Sequence, residues 1–125
     1  MSSIIKTYTA TNAAINARRI VKFDGTTKTL VLLAAAATDA SIGITTEVAA
    51  AANERVDVIH IGVAYVEAGA AFNPGAMLTS DSSGRAVTAS PGAGTNNRVV
   101  GLALEEAGAA GDLVLMLVNP FSTQG

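Results

Sequence analysis

The chain has 125 residues, with 8 basic and 10 acidic side chains, a net charge of −2, and neither cysteine nor tryptophan. Half of the residues are apolar and only 14% are charged, against roughly 25% in ordinary soluble domains. This composition excludes disulfides and zinc–thiolate sites, and it gives no electrostatic attraction for nucleic acid. The length fits one domain with its own core.

The sequence also predicts that the chain does not enter a membrane. A spanning helix needs about 20 largely apolar residues, whereas the longest apolar run here covers residues 30–37 and is half alanine. The start of the chain lacks the apolar block of a signal peptide. Alanine fills 25 positions, so we expect a surface that is poor in charge because other protein chains cover it.

The first 17 residues are polar and rich in Thr, Asn and Ala, with one apolar pair, Ile4-Ile5. They predict an extended amino-terminal arm or a first edge strand. Residues 18–120 predict a single β domain. The alanine-rich segment 46–53 is compatible with one short helix or a loop.

Runs rich in Val, Ile and Thr that are bounded by turn residues predict strands in this domain. The predicted strands cover residues 20–23, 29–33, 42–45, 55–67, 77–79, 85–88, 98–104 and 113–118. Asn119-Pro120 is expected to end the last strand and to leave a short tail at 121–125. The fold class is therefore mainly β, a barrel or sandwich of about seven or eight short strands.

Two stretches of the chain are similar to each other. Residues 62–71 and 101–110 share the pattern Gly, apolar, Ala, apolar, any, Glu, Ala, Gly, Ala, Ala, and Gly43 starts a shorter third copy. One interpretation is a pseudo-symmetric barrel or sandwich whose glycines allow close backbone approach or turns. The other is chance similarity in a chain rich in Ala and Gly.

No group of residues predicts catalysis, a cofactor or a metal site. His60 is the only histidine, and strand alternation places Asp57 on the opposite face, so a packed or interface histidine is favoured over an acid–base catalyst. Metal sites need clustered ligands, which scattered carboxylates do not supply. The adjacent Arg18 and Arg19 favour a solvated or interface-edge patch.

Several motifs together resemble the small capsid decoration proteins of tailed bacteriophages, also called cement or head-stabilising proteins. The motifs lie at residues 19–21, 42–45, 55–58, 62–66, 73–79, 81–87, 99–105 and 111–114. Their order and spacing cover about four-fifths of the chain. One departure is Asn53-Glu54, where the resemblance leads us to expect Gly-Glu before the long strand.

The resemblance implies a compact β-barrel or β-tulip without enzymatic activity. It implies a homotrimer on the outer surface of an icosahedral shell, at threefold and quasi-threefold positions, made in the host bacterial cytoplasm. Its partner would be the major phage capsid protein, and it would stabilise the expanded shell. We expect no nucleic-acid or membrane partner.

Candidate contact residues follow from this interpretation. An arm containing Ile4, Ile5 and Tyr8 is a candidate capsid contact, because an extended segment can add to the edge of a sheet. The candidate subunit-interface residues are Arg18, Arg19, His60 and Tyr65.

Two other classes are compatible with a small β chain. A virion-surface recognition module, for binding glycans or forming a fibre base, would favour exposed aromatic residues, and only 4% of this chain is aromatic. A small trimeric β-enzyme would need an Asp-containing motif beside a basic phosphate site, which the sequence lacks.

Overall fold

A computed structural model describes residues 3–125 of the chain, and these residues form nine β-strands. The strands are β1 (Ile4–Ala10), β2 (Ile20–Asp24), β3 (Thr27–Leu33), β4 (Ser41–Thr45), β5 (Arg55–Glu67), β6 (Met77–Ser80), β7 (Ala86–Thr88), β8 (Asn96–Ala103) and β9 (Leu113–Gln124). The predicted β class is confirmed, and segment 46–53 is a loop. The described residues contain no helix long and apolar enough to cross a membrane.

The strands form a closed barrel with a second sheet beside it. Pairing runs from β1 through β3, β2, β4 and β5, and β5 pairs back with β1 to close a five-stranded barrel. The second sheet has the order β5–β9–β8–β6–β7. Strand β5 is therefore shared: its first part pairs with β1 and β4, and its last part pairs with β9.

Gly62 lies where β5 passes from the barrel to the second sheet. Val56 and Val58, before it, face the barrel interior, whereas Ala64 and Val66, after it, face a core between the two layers. The backbone of Gly62 has φ +132°, a conformation that residues other than glycine rarely adopt. Glycine here lets one continuous strand serve two packing environments.

The molecule has two hydrophobic cores. The barrel interior is filled mainly by Tyr8, Ala10, Ile15, Val21, Val31, Ala50, Val56 and Val58. The second core lies between the barrel and the second sheet. There, the cross-strand row Ile20, Ile44 and Ile59 on the outside of the barrel packs with second-sheet residues such as Val114 and Met116.

The first predicted segment is a strand of the barrel. β1 pairs with β5 from Ile4 to Thr9 and with β3 only at Thr9 and Ala10. Of the two predicted alternatives, an arm or an edge strand, the structure has a strand. Within residues 3–125, the first part of β1 pairs with β5 on one edge and has no described strand on its other edge. Ala10 is fully buried and Tyr8 nearly so.

The expected end of the last strand at Asn119-Pro120 is wrong, because β9 continues to Gln124. β8 pairs with β9 at Val99 with Phe121 and at Gly101 with Val118, so two residues of β9 lie opposite one residue of β8. This is a β-bulge, one of the few places where a strand accepts proline. Beyond Val118, β9 also has no pairing with β5, so no hydrogen bond to that strand is lost at Pro120.

Asn53 explains the one departure from the expected motif. Its backbone has φ +66°, the left-handed region in which glycine is favoured and asparagine is the most tolerated alternative. The turn before β5 thus keeps the conformation that Gly-Glu would give.

Candidate interaction surface

The outward side of the second sheet carries a group of apolar side chains, with Glu67 of β5 at its edge opposite Leu113. Register places Val63 on β5 opposite Leu117 on β9, Leu117 opposite Leu102 on β8, and Leu102 opposite Met77 on β6. These four side chains form a continuous row across four strands. Leu117 and Met77 are each 36% exposed, and Val63 and Leu102 are half-buried.

A second apolar row lies beside the first. Tyr65 on β5 is opposite Leu115 on β9, and the Leu104 N–H donates to the Leu115 carbonyl over 2.9 Å. Tyr65 is 42% exposed and Leu104 47%. We call these two rows, together with the exposed Leu113, the outer face.

The outer face differs from an ordinary solvated sheet. When one side of an antiparallel sheet packs on a core, its other side normally carries polar residues. In β9 the buried residues Val114, Met116 and Val118 alternate with Leu113, Leu115 and Leu117 on the outward side, so both sides are apolar. A contiguous exposed apolar surface of this kind is typical of an interaction site.

Arg18 borders the outer face along β5. Its guanidinium lies 5.8 Å from the centre of the Tyr65 ring and 3.4 Å from the Glu47 carboxylate. The backbone of Arg18 has φ +61°, which costs about 1 kcal/mol or more for a residue with a side chain. Two hydrogen bonds hold this conformation, from the Arg18 N–H to Thr46 and from the Glu67 N–H to the Arg18 carbonyl.

Carboxylates border the opposite end of the second row. Glu105 and Glu106 follow Leu104 directly and are exposed. Glu105 accepts a hydrogen bond of 2.9 Å from the Leu115 N–H, which continues the β9 ladder where β8 has ended. The second row therefore has a cation beside its β5 side and two carboxylates next to its β8 side, where β8 ends.

Arg19 belongs to the interior. It donates to the Ser83 carbonyl over 2.9 Å and pairs with Glu67 at 3.2 Å, and Arg85 links Glu67 to Asp81. The Nε of Arg19 is buried without a hydrogen-bond partner in the structure. This network joins β2, β5 and the β6–β7 loop, so Arg19 holds the two layers together within one chain.

His60 packs inside the chain. Its Nδ1 lies 2.7 Å from the Ile42 carbonyl, which can only accept, so Nδ1 donates. In the neutral imidazole Nε2 then accepts from the Tyr8 hydroxyl, also at 2.7 Å. Burial raises the pKa of the Tyr8 phenol, which keeps the donor proton in place.

Tyr8, predicted together with Ile4 and Ile5 as a capsid contact, is consequently a buried residue in the single chain. Its ring packs edge-on against Phe23 and His60 inside the barrel, because β1 is a barrel strand. Ile4 and Ile5, by contrast, are 58% and 53% exposed. The predicted arm residues thus divide into a buried anchor and two exposed side chains.

Within residues 3–125, no three His, Asp or Glu residues lie close enough together to hold a metal ion. Two surface depressions adjoin Arg55 and are lined mainly by short polar side chains, including Thr7, Thr46 and Asp57.

Of the four predicted interface residues, the structure brings Arg18 and Tyr65 together at the outer face and turns Arg19 and His60 inward. Sequence reasoning missed Leu104, Leu115 and Leu117. Their signal was the unbroken apolar run at residues 113–118, which predicts a strand apolar on both sides.

The fold is shared with a solved structure of a phage protein. The chain is similar to the N base of the head fibre protein gp8.5 of bacteriophage phi29, with a TM-score of 0.70 and 22% sequence identity, over 94% of this chain and 95% of that one. No curated protein sequence matches the chain significantly.

Residues 2–118 match the phage cement protein family. Since the match covers nearly the whole chain, the protein belongs to this family. It is a structural protein of phage virions that associates with the capsid, as the sequence motifs predicted.

Proposed function

We propose that the chain binds the outer surface of an icosahedral phage capsid as a homotrimer, at threefold and quasi-threefold sites, and stabilises the expanded shell. The observation that supports this most directly is family membership over residues 2–118, together with exposed apolar side chains in a chain with few charges. The partner we propose is the major capsid protein. The role is mechanical and needs no catalytic residue.

The first part of β1 is the capsid contact we propose. Between Ile4 and Tyr8 this strand pairs with β5 on one edge, and its other edge lies outside the described pairings. An edge of this kind accepts an added strand, whose backbone hydrogen bonds supply affinity while side chains supply specificity. Ile4 and Ile5 lie on this segment and are exposed. Three linked copies would multiply a weak contact by avidity.

Co-sedimentation with phage shells tests the proposal. We expect the full chain to bind expanded shells, to bind unexpanded shells less, and to raise the temperature at which expanded shells release DNA. The double variant Ile4→Glu/Ile5→Glu should bind at least tenfold less tightly, a loss of about 1.4 kcal/mol, because carboxylates replace both exposed apolar side chains.

Ala93→Glu/Thr95→Glu is the matched control, since it introduces the same two charges at exposed positions in the loop between β7 and β8. Its binding should equal that of the unaltered chain. Equal binding by expanded and unexpanded shells, or by the double variant and the control, would contradict the proposal.

The likeness to a head fibre base favours a second candidate function. On that alternative the domain would attach another structure to the shell, and stabilisation would be incidental. Binding to expanded shells without any rise in their DNA-release temperature would favour the fibre base over the cement role.

A further inference from the structure

We propose that the outer face is where the chain binds a second copy of itself. The inference rests on the proposed homotrimer and names the surface that forms it. It is distinct from the proposed capsid contact, which lies on β1 in the barrel.

The apolar side chains of the outer face would be stabilised by burial against another protein surface. The row from Val63 through Leu117 and Leu102 to Met77 has no polar side chain, and neither Leu115 nor Leu104 in the second row has one. Burying apolar area stabilises an association by roughly 25 cal/mol per Å², and interfaces between copies of one chain are more apolar at their centre than other interfaces. The inner side of the same sheet already packs on its own core, so the cover must come from outside the subunit.

The charges at the two ends of the second row favour a copy of the same chain as the cover. Arg18 lies beside Tyr65 at the β5 end, and Glu105 and Glu106 follow Leu104 at the other end. When two such faces meet head to tail, the cation of one copy faces the carboxylates of the next, and the apolar rows lie between them. In a threefold ring each copy would use the β5 side of its face against one neighbour and the β8 side against the other, which is a heterologous contact that closes by rotation.

Arg18 is held in the position that this contact needs. Its left-handed backbone is fixed by hydrogen bonds to Thr46 and Glu67, and the guanidinium lies over the Tyr65 ring. Its bond to Glu47 is long, at 3.4 Å, and Glu47 itself is largely exposed, so that pair contributes little. The guanidinium can therefore meet a carboxylate of a neighbouring copy without losing a strong partner.

The mass of the purified full-length chain in solution tests the inference. We expect the unaltered chain to sediment above the 12.5 kDa of one copy. Leu117→Glu places a charge at the centre of the first row and should reduce the mass to that of one copy. The far-ultraviolet circular dichroism spectrum should be unchanged, because the side chain points away from the core.

Ala93→Glu is the matched control, since it adds the same single charge at an exposed position in the loop between β7 and β8. It should leave the mass unchanged. A charge exchange tests the ends of the row: Arg18→Glu should weaken association about fivefold at low ionic strength, and adding Glu106→Arg to it should restore most of the loss.

The outcomes separate this inference from the proposed function. An unaltered chain of one-copy mass overturns the inference, as does a Leu117→Glu variant that keeps its mass. If Leu117→Glu keeps its mass but loses shell binding, the face binds the capsid and the inference is wrong. A mass of two copies supports the inference and contradicts the homotrimer. Failure of the unaltered chain to bind shells contradicts the proposed function alone.

Discussion

At the scale of single residues, Tyr8 is the side chain whose role differs most from its apparent one. An aromatic residue near the start of a polar segment looks available to a partner, yet its hydroxyl donates to His60 inside the barrel. Local sequence could not show this, because His60 lies 52 residues further along the chain. This hydrogen bond gives His60 a structural role.

Removal of this hydroxyl should destabilise the fold. Tyr8→Phe leaves His60 Nε2 without its donor in a half-buried site, so we expect the free energy of unfolding in urea to fall by about 1 kcal/mol. Tyr65→Phe removes an exposed hydroxyl and should change it by no more than about 0.5 kcal/mol. Equal losses in the two variants would show that the Tyr8 hydrogen bond does not contribute.

Asp39 makes stability depend on pH. Burial by itself raises the pKa of this carboxyl, but hydrogen bonds from Lys22 and from the Ala35 and Ala36 N–H groups, with the charge of Lys22, outweigh it and hold the pKa below its ordinary value of 3.8. The folded chain therefore binds this proton more weakly than the unfolded chain. The stabilisation is present above the unfolded pKa and is lost as pH falls through the folded one.

We expect Asp39→Asn to weaken the dependence of unfolding free energy on pH below pH 3.8, because the titrating group is gone. Denaturant unfolding at a series of acidic pH values measures this slope. Asp24→Asn, at the exposed end of β2, is the control and should keep the slope of the unaltered chain more closely. A slope that survives in Asp39→Asn would assign the acid sensitivity to other groups.

At the scale of strands, the sequence predicted well where the strands lie and poorly which strands pair with each other. β5 has the predicted bounds. The other predicted strands are all present, and their ends differ from the prediction by one or two residues, except that β9 extends six residues further, to Gln124. Alternation and turn residues are local signals, so they survive in a single sequence. Pairing between β1 and β5 joins residues about 50 positions apart, and nothing local encodes it.

The repeated glycines have a role that the structure explains. Gly43 on β4 and Gly101 on β8 start two of the similar stretches, and a Cβ atom at either would overlap a backbone carbonyl of the neighbouring strand, that of Ile59 or Leu117. These glycines allow close strand approach, as the first interpretation of the repeat predicted.

Gly101→Ala should therefore destabilise the second sheet. The added methyl meets the Leu117 carbonyl and the end of Met116, and the backbone must shift to relieve the overlap. We expect a loss of about 1–3 kcal/mol, measured by denaturant unfolding. Gly92→Ala, where the nearest atom is 3.8 Å from the new Cβ, should be close to neutral, and a similar loss there would contradict the packing argument.

At the scale of the whole molecule, the low charge and abundant alanine have two separate explanations. Small side chains such as Ala64, Ala68, Ala86, Ala103 and Ala107 fill the core between the layers, where the barrel and sheet approach closely. Larger apolar residues on the outer face remain exposed in one chain. The composition predicted a covered surface, but only the register of the strands identified which one.

The position of β9 has a consequence for how the molecule is made. All five barrel strands lie within the first 67 residues, whereas β9 is the last strand in the chain and lies between β5 and β8. During synthesis the amino-terminal part is available first, so the barrel can close while the end of β5 still lacks its neighbour. The second sheet, and with it the outer face, is completed only when the final strand emerges and inserts. The centre of the outer face, Leu115 and Leu117, is therefore added last.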